Sequence, residues 1–454
     1  NKVCYGRFLP YNKKTKRSIV MSKKLVIVLL VLVAAVSMVF ASGSTEAKPE
    51  KLTVWSGYPE MEPFYKYVAE QFKQTHPNVE VEITTLSLRE FEQKLAATIP
   101  SGTASDIFET SIAQSKIYSE AGLLPANPDY VNEFVEKEGR YGSLVMRDTV
   151  TNGKRYGVPI FQGRTALYYN KDYFAEAGIT EPPKTFEEMY EMAKKLAVYD
   201  EKGNLVRSGH SLRLSGQGSG TAEKFWFVLY PMGATILEEG KVAGTYHAGY
   251  NNEGGYKALK YYIDAVFKDN WDDQRVKHDT EAFELGFTAM YFRESNVIGD
   301  IAQKVPDLNY GTATVPSDVR WGRITNINYL YVSNTCKNQE LAWEYILLCN
   351  TDENQAWLLE NVGWLPVRQD VDLSAVLEKQ PAYAAFVYTD DTYEEFAPNP
   401  ISCFDEIETK LAERIVAAFL DGSLLDNEAG MKKVLQDAAD ETNAILKRNN
   451  MYGE

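Results

Sequence analysis

From residue 52 onward, short apolar runs alternate with longer stretches in which large apolar side chains recur every three or four positions. Residues 52–55 predict a strand, and over 63–76 the side chains of Phe64, Tyr67, Val68 and Phe72 share one helical face. The pattern then repeats. Val79, Val81 and Ile83 alternate with glutamates, as a strand does; 88–99 predicts a helix, and 106–108 a third strand feeding a helix around Ile117. Alternation of this kind predicts a largely parallel sheet covered by helices.

A second set begins after Ile160, with a strand at 166–169 and a helix at 173–177 that Gly178 ends. Pro182-Pro183 breaks the chain, and Thr185 with Glu188 forms a capping box opening a helix to Leu196. Helices at 222–232 and 255–267 and strands at 288–292 and 310–314 follow. The last third changes character: a strand at 326–332 leads into helices at 340–348, 354–360, 404–420 and 431–448, a tail suited to clasping two lobes. Length asks for two lobes as well, since 454 residues exceed one ordinary core.

The N-terminus reads as an address. After Met21 come Lys23 and Lys24, a run over 25–40 that is apolar but for Ser37, then small and polar residues from Ala41, the three-part order of a signal peptide over 21–41. Val39 and Ala41 suit a signal peptidase, which places cleavage after Ala41. The apolar run is short of the roughly 18–20 residues that a permanent anchor needs. No cysteine lies beside the cleavage point, so lipidation is not supported, and residues 1–20 read as an extended n-region or upstream sequence.

Charge sharpens the picture. The formal net charge is −15, yet residues 1–41 carry eight basic and no acidic side chains, leaving 40 basic against 63 acidic groups beyond them. Such a surface repels polyphosphate, which excludes nucleic acid and anionic membranes as partners. Beyond the leader remain Cys336, Cys349 and Cys403, an odd number that permits one disulfide at most; a buried Cys349 thiol and a bridge both stay open.

Catalytic signatures are sparse. Only His76, His210, His247 and His278 occur, none paired at metal-ligand spacing, and His76 suits a helix-dipole contact. The glycine cluster at 216–220 lacks the spacing of a phosphate-binding loop and reads as an ordinary loop. The acidic residues leave room for the carboxylate pair of a secreted glycoside hydrolase, but no local pattern selects two of them. Aromatic side chains near turn residues are plentiful: Trp55, Tyr58, Phe225, Trp226, Trp321, Trp364 and Phe404. Sugars offer apolar faces for such rings and hydroxyls for polar neighbours.

Four blocks carry a resemblance. The first is Leu52-Thr53-Val54-Trp55 with the helix ending at Phe72 and His76-Pro77-Asn78-Val79. The second is Ser101-Gly102-Thr103-Ala104-Ser105-Asp106-Ile107. The third runs from Tyr156-Gly157-Val158-Pro159 through Leu167-Tyr168-Tyr169-Asn170-Lys171-Asp172 to Pro182-Pro183 and Ala193-Lys194-Lys195-Leu196. The fourth joins Phe287-Thr288-Ala289-Met290, Tyr310-Gly311 and Gly363-Trp364-Leu365-Pro366. In these blocks the chain resembles the family 1 extracellular solute-binding proteins of ABC importers, the maltose-binding-protein-like, carbohydrate-uptake group.

The resemblance implies an α/β, two-lobed periplasmic-binding-protein fold of the hinge-closing type II, with a helix-rich C-terminal part. Lobe 1 would comprise 50–160 plus 325–365, and lobe 2 165–320 plus 366–450 with the C-terminal helices. Chain crossings are expected near 160–164 and 321–325. Carried over residue by residue, the binding positions are Tyr58, Glu60, Glu109, Thr110, Gln162 and Arg164, then Phe225, Trp226, Arg293, Glu294, Asn296, Trp364 and Phe404. Arg164 and Arg293 would donate in pairs, the glutamates would accept from hydroxyls, and Trp226 and Trp364 would stack. Asp106 is expected to cap a helix.

Thr110 and Asn296 stand where the family's sugar receptors often place aromatics, which weakens the case for a maltodextrin and leaves another oligosaccharide, a polyol or a charged sugar derivative. The resemblance further implies no catalysis, no cofactor, no metal, a monomer, an extracytoplasmic location and ABC permease subunits as partners. A phosphorylated or carboxylated solute is the second binding reading.

Overall fold

The computed structural model describes residues 49–454 apart from Gln217 and His278. The leader expectations over 1–41, cleavage after Ala41 included, lie outside the described residues. In chain order the first elements are β1 (Glu50–Ser56), α1 (Glu62–Thr75), β2 (Val79–Thr85), α2 (Leu88–Ser101), β3 (Ile107–Ser111) and α3 (Ile112–Glu120). Phe64, Val68 and Phe72 of α1 are buried as their spacing predicts, with Tyr65 beside them. Tyr67 stacks on Trp357 instead, ring centroids 4.3 Å apart.

Next come β4 (Val158–Arg164), β5 (Ala166–Asn170), α4 (Phe186–Leu196), α5 (Gly220–Leu229), α6 (Glu253–Ile263), β6 (Met290–Arg293) and β7 (Tyr310–Ala313). The capping box that opens α4 is formed: the Thr185 hydroxyl accepts from the Glu188 N–H at 3.1 Å, and the Glu188 carboxylate accepts from the Thr185 N–H at 3.3 Å. Then follow β8 (Gly322–Val332), α7 (Gln339–Cys349), α8 (Asp352–Asn361), β9 (Glu394–Phe396), α9 (Phe404–Phe419) and α10 (Glu428–Arg448).

The larger sheet has the order β9-β8-β3-β1-β2, with β4 also paired to β8. β1 and β3 run parallel, Val54 opposite Ile107. However, β8 is antiparallel to β3 and to β4, and the smaller sheet, β6-β5-β7, is antiparallel at both pairings. The parallel pairing expected of the first strands holds for β1 and β3, and β8 and β9 are parallel too, but the sheets taken together are mixed, which corrects the expectation of a largely parallel sheet. The chain leaves along β4 and returns along β8, so these neighbours run in opposite senses without a helical crossover. The two segments marked as crossings are hydrogen-bonded to each other, Thr325 opposite Arg164.

Buried apolar side chains gather in three groups among the described residues. One joins Val54, Phe64 and Phe108 to Tyr329, Leu330 and Ile346. A second joins Leu167, Trp226 and Leu259 to Ile324, Phe404 and Leu435. The third lies under the smaller sheet, around Tyr168, Tyr291, Leu365 and Phe386. Burying such clusters is the main favourable term for each.

Asp106 departs from expectation: its carboxylate accepts from both the N–H and the hydroxyl of Thr53, at 2.8 and 2.7 Å. It therefore ties the approach to β3 to strand β1 and caps no helix, because the residues that follow it are extended. Cys336, Cys349 and Cys403 are buried, Cys349 and Cys403 as free thiols, and burial pushes the Cys349 thiol pKa up. Among the described residues no helix is long and apolar enough to cross a membrane.

Candidate functional site

A cavity of about 210 Å³ opens where the elements of the two larger cores face one another. One wall is Tyr58 after β1 with Glu109 and Thr110 on β3 and Ser111 to Gln114 beyond. The other brings Ser219 and Glu223 at the start of α5 together with Phe404, Asp405 and Glu408 of α9. Residues 325–329 of β8 form the floor between them. The site thus draws on both sides of the β4–β8 crossing.

Four of the residues expected from the sequence line this cavity: Tyr58, Glu109, Thr110 and Phe404. The Glu109 side chain is wholly buried; its Oε2 accepts from the Ser56 hydroxyl at 3.0 Å and from Tyr65 OH. Burial pushes its pKa up to about 8, against the pull of those hydroxyls and with a further push from Glu60. Burial, then the neighbouring Glu109 charge, also raises the Tyr58 phenol, whose oxygen accepts from Asn328 at 3.4 Å.

A second group gathers beside the cavity around Gly163. The Trp364 ring lies 5.7 Å from Tyr58 and 4.8 Å from Phe161. A Cβ on Gly163 would come within 2.9 Å of Trp364 and 3.1 Å of the Glu294 side chain, so glycine is what lets them close over β4. Glu294 is ion-paired to Lys224 at 2.9 Å and to Arg293 at 3.2 Å. Burial opposes its ionisation, but the two cations outweigh burial and hold its pKa at about 2. Burial raises the Glu60 pKa, against the Trp364 indole and the Arg293 charge. Gln162 donates to the Pro366 carbonyl at 2.6 Å and Asn296 sits behind Gly363, so both serve this framework.

Three expected residues stand apart. Arg164 is held by Glu395 at 2.9 Å, a carboxylate it shares with the buried Arg323. Phe225 meets Tyr262 edge to face, and Trp226 lies against Phe396 and Phe404, both in the core behind the cavity. Helical geometry turns Phe225, two positions from Glu223, away from the cavity; Trp226, three positions from Glu223, is on the cavity side of α5 but is covered by Phe404 and Phe396. In place of those rings the cavity wall carries Glu223, Asn326, Asn328 and Glu408, which the reading of the sequence passed over.

Their signal was present. Glu223 and Lys224 are the charged residues in a helix otherwise built from Ala222, Phe225, Trp226, Phe227, Val228 and Leu229. Asn326 and Asn328 interrupt an apolar strand, and Asn326 donates to Glu223 at 2.5 Å, bridging floor and wall. The glycine cluster is the turn into α5. Gly218 has φ +77°, and a Cβ there would fall 2.0 Å from the Arg89 guanidinium, so the turn lets α2 approach the mouth of the cavity.

A profile of the bacterial extracellular solute-binding proteins matches residues 56–356. A binding protein of Brucella abortus is 25% identical over 424 residues, covering 92% of this chain and 98% of its own. The maltodextrin-binding protein MdxE of Bacillus subtilis is 24% identical, covering 86% of this chain and 88% of its own. Among solved structures, an ABC transporter solute-binding protein of Thermotoga lettingae bound to α-D-tagatose superimposes with a TM-score of 0.73. It is 21% identical, and the match covers 87% of this chain and all of that one. With the cavity set between the elements of two lobes and the profile spanning most of the chain, this protein belongs to the bacterial extracellular solute-binding proteins.

Proposed function

We propose that the protein captures a carbohydrate in the cavity between its lobes, outside the cytoplasm, and delivers it unchanged to an ABC permease. The observation that carries this reading is the lining: the rings of Tyr58, Phe91 and Phe404 beside the amides and hydroxyls of Asn326, Asn328, Ser111 and Gln114. Rings stack on sugar C–H faces while amides and carboxyls pair with hydroxyls. The names of relatives point the same way, since MdxE binds maltodextrin and another B. subtilis relative is a galactooligosaccharide-binding protein. About 210 Å³ is small beside typical ligand pockets of about 300–1,000 Å³, which supports a short sugar over a long one.

The lobes assigned to this function are 50–160 with 325–365 and 165–320 with 366–450. The two larger cores favour that division, one drawing on 52–161 and 327–367 and the other on 167–324 and 396–446, while the third core joins Leu359 and Leu365 to Tyr168 and Tyr291 across it. The reading of a phosphorylated or carboxylated solute loses its anchors, because Arg164 and Arg293 are both occupied by carboxylates.

A thermal-shift screen against sugars, polyols and sugar phosphates tests the proposal, since a ligand that binds only the folded state raises Tm. A clear shift with one sugar, and the same sugar recovered intact, is the expected result. Turnover of a bound oligosaccharide, abolished by changing one Asp or Glu, would instead establish a glycoside hydrolase. A shift with sugar phosphates alone would remove the carbohydrate assignment.

A further inference from the structure

The charge around the cavity is one-sided. Among its described lining residues are Glu92, Glu109, Asp148, Glu223, Asp405 and Glu408, and no Lys, Arg or His. Arg147 neutralises Asp148 at 2.6 Å. Two further guanidinium groups lie outside the lining: Arg293 is bound to Glu294 and Asp279, with Glu223 also in reach of its charge, and Arg89 is exposed at the mouth beside Gly218, where it acts on Glu92. Five carboxyls therefore face one small space without a basic partner in it. Their crowding is visible in Glu408, whose pKa burial drives well up, with Glu223 and Asp405 adding to it.

A second observation is independent of the charges. The Tyr329 hydroxyl, on a wholly buried side chain that lines the cavity, has no hydrogen-bond partner among the described residues. The same holds for Oε1 of Glu109, and for Oε1 of Glu408 on a side chain more than nine-tenths buried. Buried polar atoms of this kind are costly unless something fills the space and pairs with them. A neutral sugar would satisfy the hydroxyl and leave the close-set carboxyls without a counter-charge, so that burial keeps Glu109 and Glu408 protonated. A protonated amine on the same sugar does both, because it donates to carboxylate oxygens and supplies the counter-charge that lets them ionise.

We infer that the solute carries a positively charged nitrogen, as an amino sugar does, seated among Glu223, Asp405 and Glu408. The inference rests on sugar capture for the location and adds the charge. Titration calorimetry on the full chain tests it with four probes. These are a glucosamine disaccharide with free amines, its N-acetylated counterpart, the neutral glucose disaccharide of the same linkage, and putrescine as an amine without a sugar.

The free-amine sugar is expected to bind about tenfold or more tightly than either neutral sugar at low salt, with the margin shrinking at high salt. Glu223→Gln and, separately, Glu408→Gln should bring the sugars close to parity by weakening the amine form alone. Neutral sugars that bind as tightly as the amine overturn the charge and leave sugar capture standing. Putrescine binding with no sugar keeps the charge and removes the sugar. Equal losses for all sugars in both variants, or no binding of any probe at millimolar concentration, overturn the inference.

Discussion

Glu109 shows what a single buried group does to the unliganded protein. Its folded pKa of about 8 lies well above the ordinary carboxyl value, so between roughly pH 4.5 and 8 the folded state holds a proton that the unfolded state has lost. The native state binds more protons in that window, and its contribution to stability falls as pH rises. Calorimetry should therefore find Tm dropping from about pH 5 to pH 8. Glu109→Gln should flatten that slope and melt higher than the parent at pH 8. A slope that the substitution leaves intact would assign the proton to other groups, of which Glu92, at about 7, is the nearest in value. At this scale the sequence was only partly legible. Tyr58 and Glu109 follow strands whose spacing could be read, whereas Glu408 is one acid among many on a helix, and only the folded chain reveals it as buried, as Ile407 and Leu411 are.

Elements were the most legible level, because their signals are local. Thr185 and Glu188 announce α4 within four residues, and Thr185→Ala should cost about 1 kcal/mol in urea unfolding. What the sequence leaves out is how strands from distant parts of the chain pair. The antiparallel entry of β8 beside β3 depends on contacts more than two hundred residues apart, and no local pattern encodes it. The junction of β4, β8 and β9 is such a place. Arg323 is almost wholly buried, and Glu395 is the carboxylate it shares with Arg164. Glu395→Ala would take the shared carboxylate from the buried Arg323, leaving it the Ala385 and Tyr388 carbonyls, and from the half-buried Arg164, and should cost roughly 3 kcal/mol, against well under 1 kcal/mol for removing an exposed partner such as Glu428 of α10. Chemical denaturation of the two variants side by side measures the difference.

For the whole molecule, pattern and resemblance together foretold an α/β chain with two lobes and a cavity between them. They misplaced part of the lining, because the rings at 225 and 226 were carried over with the resemblance, and only packing shows that Phe404 and Phe396 cover Trp226. Trp364 is a case in between, since it stands beside the cavity and Gly163 makes room for it. Gly163→Ala should push Trp364 off Tyr58, lower stability by about 1–3 kcal/mol, and shift tryptophan emission in the unliganded protein. An unchanged spectrum and unchanged Tm would mean that the strand relaxes freely.

Strand β8 also has a consequence for how the molecule comes apart. Ile324 belongs to one large core and Leu330, six residues on, to the other. A single eleven-residue strand is thus a shared wall of two interiors. Neither interior can be finished by a fragment ending before residue 322, and heat cannot dismantle one without fraying the other. The expected thermogram is a single endotherm with equal calorimetric and van't Hoff enthalpies, and a gene cut just upstream of β8 should yield two halves that regain native structure only when mixed.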